Sequence, residues 1–262
     1  IKILEELVLN ADNDSDKRSY KKNIALSLNN IGVVYKNQGG YEKAMDFYLQ
    51  ALRISKELSD AHPENDEYRI EIANSFISIG NVYLHQGNYD KAIKYYRQCL
   101  KISEQLGDKQ ITAGSLNNIG NVYQLQGRIE KAIEYFLRSL RIIEELGNKN
   151  MMALALNNIG SIYSEQGKYK KAIESCKRSL AIAKEIGAKL RIQQAYINLA
   201  NIYFDMGESP PLLPNRSDYF KKAYQFHQLY SDMKDSLFNE QSSKKIAEMQ
   251  ARFDAEKKDK KI

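Results

Sequence analysis

Tryptophan is missing from this 262-residue chain, proline occurs four times and cysteine twice. Each scarcity excludes something. Proline breaks helix interiors, so its rarity leaves long stretches open to helix. Two cysteines, Cys99 and Cys176, are too few for a disulfide framework or a zinc site. Both fall on apolar helix positions and read as small buried hydrophobes. The histidines His62, His85 and His227 sit in unrelated segments. No HExxH, CxxC pair, GxSxG or GxxxxGK(S/T) occurs, so metalloprotease, hydrolase and phosphate-loop chemistry have no footing. The chain therefore reads as non-catalytic, with no cofactor and no metal. No apolar run approaches the roughly 18 residues that cross a bilayer. The net charge of +6 is too small for the field of a nucleic-acid binder, and none is expected as a partner. Part of that excess is local: Lys244 to Ile262 holds seven Lys or Arg against four Asp or Glu.

What is present in abundance is tyrosine, 18 in all, and it recurs in register. Four segments superimpose: SLNNIGVVYKNQGGYEKAMDFYLQAL from Ser27, SFISIGNVYLHQGNYDKAIKYYRQCL from Ser75, SLNNIGNVYQLQGRIEKAIEYFLRSL from Ser115 and ALNNIGSIYSEQGKYKKAIESCKRSL from Ala155. A fifth, AYINLANIYFDMGE from Ala195, matches the first half. The anchoring residues Gly32, Gly80, Gly120, Gly160 and Ala200 lie 48, 40, 40 and 40 apart.

With that anchor at position 8, positions 4, 7, 8 and 11 form one narrow apolar stripe on a first helix, A, as in Leu116, Ile119, Gly120 and Tyr123. Glycine inside a helix costs about 1 kcal/mol against alanine, so it requires close approach of a second helix, B. Glycine at position 15 (Gly39, Gly87, Gly127, Gly167, Gly207) is expected to end helix A. Helix B then carries alanine at 20 (Ala44, Ala92, Ala132, Ala172) and a filler at 24 (Tyr48, Tyr96, Phe136, Cys176). The eight extra residues of the first period are expected in a longer connection, Asp60 to Asp66, around Pro63. SPPLLPN from Ser209 to Asn215 interrupts the fifth repeat, and its B helix is expected to resume near Ser217. Ile1 to Asn10 reads as the end of an earlier B helix.

Leu or Phe at 4, Gly at 8, Tyr at 11, Ala at 20 and an aromatic at 24 resemble the tetratricopeptide-repeat (TPR) family. The resemblance covers roughly Lys17 to Lys234. Position 32, usually Pro, departs from the family and is Lys56 in the first repeat. The 40-residue period is similar to the long-repeat branch of spindle-orientation adaptors, kinesin light chains and peptide-sensing bacterial regulators. The implied fold class is all-α: a right-handed superhelix of antiparallel helix pairs. The implied organisation is a preceding helix end and linker over 1–16, about five repeats over 17–234 and a connector or capping helix over 235–262. The implied function is protein or peptide binding.

In such a superhelix the side of helix A opposite the buried stripe, positions 2, 5, 6, 9 and 13, lines a concave groove. Here that side is rich in asparagine, a poor helix-interior residue. The candidate ligand-binding residues are Asn30, Asn37, Asn81, His85, Asn117, Asn121, Asn157, Ser161, Asn198 and Asn201. Each amide offers a donor and an acceptor. Two readings stand side by side: a ladder that grips a peptide backbone, and hydrogen bonding between adjacent A helices. Position 13 runs Asn37, His85, Leu125, Glu165, Asp205, drifting towards acid. The Lys and Arg pattern of chaperone-tail clamps is missing, so acidic chaperone tails are not expected as ligands.

The tail DMKDSLFNEQSSKKIAEMQARFDAEKKDKK is similar to the segment joining TPR arrays to a transmembrane helix in bacterial sensor histidine kinases and helix-turn-helix regulators. That resemblance implies an extracytoplasmic sensor with an output domain beyond the chain. Ile246, Met249 and Phe253 form a thin seam that fits a homodimer through this helix. A soluble adaptor and a structural oligomerisation module are the other two readings.

Overall fold

The computed structural model describes residues 6–8, 13–208 and 216–259, with side chains described to residue 237 and at 239. Residues 6–8 are helical. Ten longer helices follow among the described residues: α1 (Asp14–Asn37), α2 (Tyr41–Ala61), α3 (Asp66–His85), α4 (Tyr89–Leu106), α5 (Lys109–Leu125), α6 (Ile129–Leu146), α7 (Lys149–Glu165), α8 (Tyr169–Glu185), α9 (Lys189–Glu208) and α10 (Arg216–Asp259). The described residues hold no strand. Two compact units divide the chain, Ile1–Gly147 and Asn148–Ile262. The first contains the hairpins α1/α2, α3/α4 and α5/α6; the second contains α7/α8 and α9/α10.

Local chemistry sets the helix ends. Several A helices open on an Asx cap: the Asp108 carboxylate accepts from the Ile111 N–H at 2.9 Å and the Asn148 side chain from the Met151 N–H at 3.1 Å. At the end of α5, Gly127 adopts φ +70° and the Arg128 N–H donates back to the Tyr123 carbonyl at 2.8 Å, a left-handed cap that glycine enters without strain.

The hairpins close as the spacing requires. The position-20 alanines Ala44, Ala92, Ala132 and Ala172 are fully buried, as are the fillers at 24. A Cβ on Gly120 would stand 2.8 Å from the Phe136 ring, and one on Gly80 2.5 Å from the Tyr96 ring. The filler therefore occupies the space that the missing methyl leaves. Cys99 and Cys176 are buried, and burial pushes their thiols up to about 11 and about 12.

A second set of contacts repeats alongside. The tyrosine at position 11 pairs with an aromatic at 23: Tyr35 with Phe47 at 5.4 Å, Tyr83 with Tyr95 at 5.5 Å, Tyr123 with Tyr135 at 5.4 Å. A lysine at 19 lies over the same tyrosine in each case, as Lys91 does over Tyr83 at 5.1 Å. The fifth hairpin shows both contacts, Tyr203 with Phe226 at 5.7 Å and Lys222 over Tyr203 at 5.4 Å. These contacts place Ala223 at position 20 and His227 at position 24.

Three expectations change. The first period's extra residues lengthen helices more than the connection: α2 has 21 residues against 18 in α4, and α3 has 20 against 17 in α5. Gly207 does not end its helix. It lies buried inside α9, which runs to Glu208, and a Cβ there would meet Phe220 at 2.7 Å. It serves as a close-approach glycine, like those at position 8. Helix α10 starts at Arg216 and continues to Asp259 without a break near 234. SPPLLPN (209–215), and residues 1–5 and 9–10 of the first segment, lie outside the described residues. The side chains of the Ile246, Met249 and Phe253 seam do as well.

Candidate functional site

The asparagine-rich face divides by position. In the first unit Asn30 and Asn37 are exposed on α1. Asn81 is half-buried on α3, and its side-chain oxygen accepts from the Tyr96 hydroxyl at 2.6 Å. Tyr96 is fully buried, which holds its phenol well above the ordinary range, so Asn81 satisfies a group that would otherwise be an orphan. His85 is exposed and stacks on Tyr41 at 5.8 Å. Asn117 is buried on α5, whereas Asn121 is half-buried. Asn29, at position 5 of α1, donates to the Ser75 hydroxyl on α3 at 3.5 Å.

In the second unit Asn157 is fully buried on α7, and its backbone carbonyl accepts from the Asn198 side chain on α9 at 3.4 Å. Ser161 and Asn198 are half-buried and Asn201 is exposed. These three line a polar notch of about 170 Å³ together with Ser164, Glu165, Ile202 and Asp205. Ser164 donates to the Asp205 carboxylate at 3.4 Å. Two carboxylates, Glu165 and Asp205, border the notch. A larger apolar cleft of about 330 Å³ is lined by Ala200, Asn201, Phe204, Phe220, Ala223, Tyr224 and His227. Asn201 borders both cavities. Phe204 and Phe220 pack edge to face at 5.7 Å, and Arg216 lies over Phe220 at 5.4 Å.

Tetratricopeptide-repeat models match residues 24–64, 71–145 and 151–210, more than half of the chain. The chain belongs to the tetratricopeptide-repeat family. No curated protein matches it. Among solved structures, aspartyl phosphate phosphatase F from Bacillus subtilis is similar at 20% identity and TM-score 0.62, over 84% of this chain and 63% of that one. This chain thus spans less than two thirds of that protein's length. A Rap protein complexed with competence and sporulation factor is similar at 20% identity and TM-score 0.59, over 90% of this chain and 68% of that one. A STAND signal-transduction ATPase with a TPR sensor, from Pyrococcus horikoshii, matches at 20% identity and TM-score 0.62, over 84% of this chain and 33% of that one. These likenesses show the TPR solenoid fold.

Two candidates at position 5, Asn117 and Asn157, are corrected from ligand-facing to structural. Both are buried, where a ligand cannot reach them. Positions 6, 9 and 13 keep accessible surface at Asn30, Asn37, Asn81, His85, Asn121, Ser161, Asn198 and Asn201. The apolar cleft escapes a reading from motifs, because the interruption hides the register of the fifth B helix. Its signals are the alanine at position 8, Ala200, and the histidine at position 24, His227. No described helix is long and apolar enough to cross a membrane.

Proposed function

We propose that this TPR chain is a non-catalytic binding module that takes an extended peptide or protein segment along its A helices. The observation that carries the reading is the accessible polar surface at positions 6, 9 and 13 within each unit, which in the second includes a notch bordered by Ser161, Asn198, Asn201, Glu165 and Asp205. Amides that retain surface can donate to and accept from a peptide backbone without selecting its side chains. A Rap protein of this fold, solved in complex with competence and sporulation factor, supports the same use here. The finer reading is a sensor: occupancy of the A-helix row is passed to an output element along α10. The TPR sensor of the STAND ATPase supports that role.

Selection of displayed random peptides, followed by hydrogen exchange on the complexes, tests both levels. Binding at these positions protects A helices, α3 and α5 in the first unit or α7 and α9 in the second. Protection confined to the B helices, or no saturable binder, sinks the module reading. An unchanged α10 at saturation sinks the sensor reading alone.

A further inference from the structure

At position 5 of α7, Asn157 is fully buried, and neither its amide nitrogen nor its amide oxygen has a hydrogen-bond partner. A buried polar group without a partner weighs on the state that buries it. The chain shows two remedies at other repeats. Position 5 is isoleucine in the second and fifth, Ile77 and Ile197, which brings no polar group to satisfy. Position 3 of the following A helix can supply a hydroxyl: Asn29, half-buried on α1, donates to Ser75 on α3 at 3.5 Å. The same place on α9 is held by Ala195, a fully buried methyl. Asn198 on α9 reaches the Asn157 backbone carbonyl and leaves its side chain unanswered. The packing of α7 on α9 therefore encloses an amide that water would satisfy if the two helices separated.

We propose that the α7/α9 contact is a conformational joint, at which the α9/α10 hairpin parts from α7/α8 and the Asn157 amide gains water. Each side of the joint is tied within itself. In α9/α10 the Tyr203–Phe226 stack and the Gly207–Phe220 approach hold the two helices together. In α7/α8 Cys176 seals against Gly160, and Lys149 pairs with Glu185. The joint runs through the polar notch: α7 supplies Ser161 and Ser164, and α9 supplies Asn201 and Asp205. Parting the helices widens the notch and closing them narrows it. Opening of this local kind lies between fraying and global unfolding in free energy. The joint stands on the packing of the chain alone, whether or not the notch takes a ligand.

The chain carries its own reporter. Cys176 on α8 packs in one buried cluster with Leu199 and Ile202 of α9, so parting the joint uncovers it, whereas Cys99 lies in a cluster of the first unit. The test follows labelling of both thiols by an aromatic disulfide, resolved by mass spectrometry, from zero to low urea. Ala195→Ser gives the amide a hydroxyl, and Asn157→Leu removes the amide. Each is expected to slow Cys176 labelling about tenfold, the factor of one satisfied hydrogen bond, with Cys99 unchanged and the helical spectrum intact. In the natural chain the Cys176 rate is expected to rise only slightly with urea, because parting two hairpins exposes far less surface than unfolding. That slope is read without any substitution and stands even where a variant fails to fold. An unchanged Cys176 rate in both variants overturns the proposal. So does equal slowing at Cys99, or a urea slope at Cys176 as steep as that of unfolding followed by circular dichroism, since either assigns the labelling to unfolding.

Discussion

The hairpins α7/α8 and α9/α10 share the lysine-over-tyrosine contact and differ at the filler. Lys171 lies over Tyr163 in the first, and Lys222 over Tyr203 in the second, at nearly the same height. The small residue at position 8 meets a buried filler in α7/α8 but not in α9/α10, where His227 turns outward. The tyrosine clamp and the filler are therefore separable devices. In α9/α10 the clamp stands beside the Gly207–Phe220 approach, without a buried filler at position 24.

Filler removal sharpens this contrast most. Phe136→Ala empties a fully buried site and is expected to cost about 3–5 kcal/mol, whereas His227→Ala, at an exposed one, stays within about 0.5 kcal/mol. Urea unfolding of the two variants checks this, and equal losses would mean that the fifth hairpin is plugged after all. A smaller effect is expected at position 8. Gly120→Ala gains helix propensity but pushes on the Phe136 ring, for a net loss of about 1–3 kcal/mol. In a Phe136→Ala background the same change becomes stabilising by about 1 kcal/mol. Ala200→Gly has no ring to relieve and costs about 1 kcal/mol from propensity alone.

The smallest structural effect is read through the thiols. Cys176 fills position 24 of its hairpin, and burial raises it to about 12, against about 11 for Cys99. An unfolded thiol ionises near 9.0, so the unfolded chain loses protons first as pH rises. Stability from both groups is complete below about pH 8 and is lost as pH climbs through the native values. At pH 8 the native thiolate fraction is about a thousandfold below that of a free thiol at Cys176 and about a hundredfold at Cys99. Labelling by a disulfide reagent is expected to be slow at both and slower at Cys176. Prompt labelling of Cys176 would show that its hairpin opens readily.

Much of this was legible in the sequence, because the repeat fixes local contacts by spacing alone. Gly120 with Phe136 needs only a period and a helix. The row at position 5 was harder. Asn157 and Asn201 are the same residue type on neighbouring faces, and only the packing of α9 against α7 buries one and exposes the other. The cleft was not visible from motifs because it arises from departures, Ala200 and His227, in the repeat whose second half loses register across the proline-rich stretch. Gly207 misled for a related reason. The same glycine that caps the other A helices is, in α9, spent on the approach of Phe220.

The left-handed glycines at 87, 107, 127, 147, 167 and 187 fall every twenty residues, all with φ between 63° and 72°. Gly107 and Gly147 are followed by Asp108 and Asn148, which cap the next helix in the same way. Excising the forty residues from Asp108 to Gly147 would join Gly107 to Asn148, again a left-handed glycine followed by an Asx cap. Duplication in the gene can therefore alter copy number without inventing a new joint. Length between these glycines changes in whole steps, while the fifth hairpin departs from the pattern.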